Sequence, residues 1–161
     1  MEVTPLFVPD GFEPPQGLVA SGFVLEPLGP RHNVADFAAW SSSMAHILAT
    51  PGFERSDWPH EMGLEQNLGD LERHAYDFEE RRGFTYTVLD PRDGGVIGCV
   101  YIYPVGTDET DPGDDATTDD ASVRSWVRAD RAALDEPLWR AVSDWLEAEW
   151  PFVSVRYAAR S

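Results

Sequence analysis

Between Ala121 and Trp150 the chain reads ASVRSWVRADRAALDEPLWRAVSDWLEAEW, and this stretch limits the fold more than any other. Ser122, Arg124, Trp126 and Arg128 alternate with Val123, Ser125 and Val127, the two-residue period of a pleated strand. An amphipathic helix follows from Asp135 to Trp150. Asp135 is placed to cap it, Pro137 suits its first turn, and Leu134 is placed to staple onto Trp139. Leu138, Val142, Trp145 and Leu146 recur at three- and four-residue steps, so one stripe is apolar. A strand that feeds straight into a helix leaves free N–H groups at the junction, a natural place for an anion. Such a crossover expects a parallel neighbour for the strand, and Phe152 to Tyr157 is the candidate.

The remaining elements precede this unit. Residues 1–20 are rich in Pro and Gly and read as an extended arm, with Phe7 and Phe12 available to pack on the domain or on a second copy. Residues 21–161 read as one domain. Gly22 to Leu28 is a first strand, and Arg31 to Thr50 a helix whose face carries Val34, Phe37, Ala38 and Trp40. Leu64 to Arg82 is a second helix with a seam of Leu64, Leu68, Leu71, Ala75 and Phe78, closed by Gly83. Phe84–Leu89 and Val96–Tyr103 flank a Pro- and Gly-bearing turn and predict a β-hairpin. Thr107 to Asp120 is an acidic loop.

Composition narrows the function. The formal charge of −17 leaves too few cations to neutralise a nucleic-acid backbone, so no nucleic-acid partner is expected. Cys99 is the single cysteine, no basic leader opens the chain, and no apolar run reaches membrane-spanning length. A cytoplasmic protein without a membrane partner is the expectation. His32, His46, His60 and His74 have no metal-ligand spacing with one another or with Cys99, so no metal site is predicted. His74 reads as exposed. Asp108, Gly113 and Asp119 fall on a calcium-loop template that Thr110 and Pro112 break.

The order of elements, with GFVLEPLGPRH, FTYTVLDPRDGGVIGCVYIYP, and VRSWVRADR followed by LWRAVSDWLEAEW, resembles the GNAT (GCN5-related N-acetyltransferase) family over residues 22–157. The resemblance implies an α/β (α+β) fold with a mixed, mostly antiparallel central sheet flanked by helices. The sheet parts between the fourth and fifth family strands, and acetyl-CoA lies in the V. By that resemblance Trp126, Val127 and Arg128 hold the pantetheine arm, while Arg131, Ala132 and Ala133 belong to the pyrophosphate loop. The loop departs from the family pattern, with Leu134 at the central glycine and Glu136 at a small residue. A carboxylate about 6 Å from a phosphate charge costs roughly 0.7 kcal/mol at water's dielectric and about 3 kcal/mol at an effective value of 20. A helix terminus returns only about 0.3–1 kcal/mol, so Asp135 and Glu136 oppose the anion.

Transfer to an amine also needs acid and base groups. Tyr157 is the nearest phenol, with a core aromatic as its other reading, and Glu26 is a strand-end acid with a solvated carboxylate as its other reading. By the same resemblance Trp58 and His60, in the loop before the second long helix, are candidates to line the acceptor site, with a surface loop anchored by one Trp as the other reading. The function expected is acyl-CoA-dependent N-acetylation of a small-molecule or peptidic amine. The alternative is a non-catalytic GNAT-like scaffold that binds or regulates. The Phe152–Tyr157 strand lies near a sheet edge, which the arm or a second copy in a homodimer would cover.

Overall fold

A computed structural model of the chain describes residues 6–105 and 120–160. Six strands, β1 (Leu18–Ala20), β2 (Phe23–Pro27), β3 (Phe84–Leu89), β4 (Val96–Tyr103), β5 (Ala121–Val127) and β6 (Val155–Tyr157), form one sheet in sequential order. Every neighbouring pair is antiparallel except β5 and β6, which are parallel, as the crossover expects. The helices are α1 (Asn33–Ser41), α2 (Met44–Leu48), α3 (Leu64–Glu79) and α4 (Asp135–Glu149). The sheet is thus mixed and mostly antiparallel, with helices on its faces. The acidic run, with Asp108, Gly113 and Asp119, lies outside the described residues. Among those described, no helix is long and apolar enough to cross a membrane.

Two cores cover the two faces of the sheet. On one, α4 presents Leu138, Val142, Trp145 and Leu146, the stripe expected from sequence, to β3, β4 and β5. Burying each of these side chains is worth about 1.5–3 kcal/mol. Trp145 and Trp150 stand edge-on to Tyr86. The opposite face holds Trp40, Ile47, Phe53, Tyr101 and Trp126 beneath α1, α2 and α3. Between β4 and β5 the chains approach so closely that a Cβ on Gly98 would collide with the Trp126 backbone.

The arm packs on its own domain. Phe7 stacks on Phe84 and Phe152, Phe12 meets Trp150, and the Tyr86 hydroxyl donates to the Pro15 carbonyl. Its last residues form β1, a strand too short for alternation to reveal. Arg81 donates to the carbonyls of Pro9 and Phe12 from a left-handed conformation (φ 62°) at the end of α3. The reversal after α3 therefore falls at Arg81, two residues before the Gly83 expected from sequence.

Other local expectations change in the same way. The helix expected over Arg31–Thr50 divides at Ser42 and Ser43, whose hydroxyls bond the Ala39 carbonyl and the Ala129 N–H and so compete with the helical ladder. On α1 the buried residues are Asp36, Ala39 and Trp40, while Val34 is 70% exposed. On α3 the buried residues are Asn67, Leu71 and His74; of the expected seam Leu71 is fully buried, Leu68, Ala75 and Phe78 are partly so, and Leu64 is exposed. His74, expected on the outside, is buried because Tyr103 and Thr85 supply hydrogen-bond partners at 2.8 and 3.0 Å. Asp135 does not cap α4. A 3-10 turn over Ala129–Leu134 runs directly into the helix, and the Asp135 N–H donates to the Ala132 carbonyl. That bond uses one of the N–H groups expected to be free at the junction.

Candidate active site

The parallel pairing of β5 and β6 covers only Ala121, Ser122 and Val123, opposite Val155, Arg156 and Tyr157. The pairing stops there because β6 ends at Tyr157, and this end of β5, beside the start of α4, is where the resemblance expects the acyl-donor slot. Two side chains fill it. The Tyr157 hydroxyl bonds the Ser125 hydroxyl at 2.5 Å, and burial raises the phenol well above its ordinary pKa, so it stays protonated. Arg160 donates to the Ser125 carbonyl at 2.8 Å and to the Asp135 carboxylate at 2.9 Å.

The loop after β5 carries its cations in internal pairs. Arg128 makes a two-bond contact with Asp130, at 2.9 and 3.0 Å, and donates to the Val96 carbonyl. Arg131 donates to Asp90 at 2.9 Å. The Arg92 backbone N–H and then the Arg131 guanidinium hold the Asp90 carboxyl down at about 2. Glu136 pairs with Arg140 one turn along α4. Ala132 and Ala133 lie exposed on the 3-10 turn. Arg128 also borders an open cleft of about 570 Å³ between α1 and the ends of β4 and β5, with Ser42, Ser43, Gly95 and Asp130.

A second feature lies on the opposite face. Asp36, Asn67, Asp70, His74, Trp58 and Tyr101 surround a cavity of about 20 Å³, room for one water-sized group. Asp36 is 4% exposed and accepts a single hydrogen bond among the described residues, from Asn67 at 3.2 Å. Asn67 in turn accepts from the Trp40 indole at 3.0 Å. Burial pushes the Asp36 carboxyl up to about 6, against the Asn67 bond and with help from the Asp70 charge. Such a group exchanges its proton near neutrality, and it sits where α1 and α3 meet the sheet.

The residues singled out from sequence separate into three places. Tyr157 reaches the slot. Trp126 and Val127 lie on its β5 edge but turn their side chains into the two cores, Trp126 donating to the Tyr101 hydroxyl at 2.9 Å. Arg128, Arg131, Ala132 and Ala133 form the loop at its mouth. Trp58 lines the Asp36 cavity, whereas His60 is exposed and bonds the Glu61 carbonyl. Glu26 shares a cross-strand row with Thr87, Cys99 and Trp126, three strand spacings or about 14 Å from β5. Bonds from Arg31 and His32 lower its pKa, so it belongs to a separate surface cluster. Sequence reasoning missed Asp36, Asn67 and Arg160. The available signal was spacing: Asp36 with Trp40, and Asn67 with Leu71 and His74, follow helical steps.

No protein-family model matches the chain, and no curated protein matches it. Solved structures do. It superposes on the ribosomal-protein-S5-alanine acetyltransferase of Vibrio fischeri with a TM-score of 0.57 and 12% identity, covering 81% of this chain and 66% of that one. An assigned GnaT-family acetyltransferase of Bordetella pertussis gives 0.55 and 16%, over 81% and 72%. Mycobacterium smegmatis RimJ in complex with CoA-disulfide gives 0.50 and 19%, over 79% and 61%. The chain thus spans just under two thirds of the first of these proteins, and at such identities the likeness is one of fold. That fold is GNAT.

Proposed function

We propose that this GNAT-fold chain is an acyl-CoA-dependent N-acetyltransferase whose acceptor is a primary amine. The observation that carries the reading is that the parallel pairing of β5 with β6 stops after Val123, beside the start of α4. Ser125 turns its carbonyl toward the slot, and by the two-residue period Val127 turns its backbone groups the same way. The amides of a pantetheine arm match such an edge, and the solved proteins of this fold named above are acetyltransferases. As arranged, the slot does not admit that arm. Arg160 and Tyr157 hold both polar groups of Ser125, and Arg128 and Arg131 are bonded to carboxylates.

The acceptor side is supported by the cavity at Asp36. Its volume suits a single ammonium group, its charge comes from Asp36 and Asp70, and Trp58 and Tyr101 offer ring faces to a cation. An ionised Asp36 takes one proton from the ammonium, leaving a neutral nitrogen with a free lone pair. Release of CoA thiol from acetyl-CoA, measured across alkylamines, arylalkylamines and peptides with free N-termini, tests the reading. At least one class should release thiol well above the amine-free rate. Silence across the whole panel would leave the non-catalytic scaffold.

A further inference from the structure

Residues 158–160 follow β6, and among the described residues no backbone–backbone hydrogen bond outside the strands holds them. One side chain does the holding. Arg160, 6% exposed, donates to the Asp135 carboxylate through Nε at 2.9 Å and through Nη2 at 3.4 Å. Nη2 also donates to the Ser125 carbonyl at 2.8 Å, and Nη1 to the Ala158 carbonyl at 2.8 Å, which folds the segment back on itself. The guanidinium carbon lies 5.7 Å from the centre of the Tyr157 ring, which bonds Ser125 on its own account. All of these partners lie where the pairing of β5 with β6 stops or where α4 begins.

We infer that residues 158–160 are a plug that closes the acyl-donor slot, latched by Arg160 on Asp135 and Ser125, and that a CoA thioester binds only as the latch opens. The inference rests on the acyl-CoA reading. Its physical basis is competition for one acceptor: the Ser125 carbonyl cannot serve both the guanidinium and an amide of the incoming arm. Asp135, which opposes an anion when bare, is neutralised while the plug is seated. Opening therefore exposes a carboxylate near the loop, and the apparent affinity for a CoA ester falls by the fraction of molecules that are open.

Calorimetric titration of the full chain with acetyl-CoA, alongside Arg160→Ala and Asp135→Asn, tests this. Both variants should bind at least tenfold tighter than the unaltered protein. Arg140→Ala removes an equal charge from α4 without touching the slot and should change affinity less than twofold. Equal affinity in all four proteins overturns the plug and leaves the acyl-CoA reading standing. Absence of binding in all four overturns that reading, and the plug with it. Should Arg160→Ala fail to fold, hydrogen exchange on the unaltered chain decides: saturating acetyl-CoA should speed exchange at 158–160. Unchanged exchange in a CoA-saturated protein would refute the plug.

Discussion

The Arg160 guanidinium and the Asp135 carboxylate meet at 2.9 Å, 25 residues apart in sequence, beside the point where the pairing of β5 with β6 stops. The two side chains are 4% and 21% exposed, so the pair is sheltered on one side only. Removing one partner of a fully buried pair costs about 3–5 kcal/mol, because the other charge is stranded. In the plug reading the segment carrying Arg160 swings outward once the pair is broken. Asp135→Asn should therefore cost less than about 1 kcal/mol in urea denaturation, with an unchanged m-value. A loss in the range of a buried pair would show the segment to be part of the core.

Asp36 gives a pH dependence with a definite sign. Burial holds its carboxyl at about 6 in the folded chain, against an ordinary 3.8. Between those values the folded state binds more protons than the unfolded one, so this group's contribution to stability falls as pH rises through the window. The full difference is about 3 kcal/mol above the folded pKa. Asp36→Asn should be more stable than the unaltered chain at pH 8, with the advantage shrinking by pH 4.5. Denaturation curves at the two pH values check this.

The same group should shape the rate. If Asp36 receives the acceptor's proton, kcat/KM rises with pH through a midpoint near 6. His74 and Asp70 on α3 and Tyr101 on β4 also face the cavity, so the decisive comparison is with Asp36→Asn. That variant should lose the limb near 6 and fall by about 10²–10⁴-fold. A limb that survives the substitution assigns it to another group.

Tyr103 links two helical residues to the sheet, donating to Asp77 at 2.9 Å and bonding the His74 ring at 2.8 Å. Tyr103→Phe keeps the ring and removes the hydroxyl from a buried network. The expected loss is about 1–3 kcal/mol, read by thermal or urea unfolding. A neutral result would mean that Thr85, already 3.0 Å from the same ring nitrogen, suffices for His74.

Gly98→Ala tests the close passage of β4 and β5. The added methyl meets Trp126 backbone, which cannot yield as a flexible side chain would. A loss of about 1–3 kcal/mol is expected, together with a changed Trp fluorescence as Trp126 shifts. Stability within about 0.5 kcal/mol of the parent would show that the two strands can part at little cost.

The elements with strong periodicity were legible in the chain itself. Alternation and β-branched residues located β3, β4 and β5 to the residue, and the α4 stripe of Leu138, Val142, Trp145 and Leu146 named its buried face. These signals are local: a side chain three or four positions away, or two, is a neighbour whatever the rest of the molecule does. The site was not local. Whether Asp36 and Asn67 face water or each other depends on how α1 crosses α3, and a buried carboxylate is tolerated only because Asn67 arrives from 31 residues away. Arg160 sits outside every periodic element, so nothing in its neighbours marks it. Its role exists only where the strand-to-helix turn brings the Ser125 carbonyl and the Asp135 carboxylate within reach of one guanidinium.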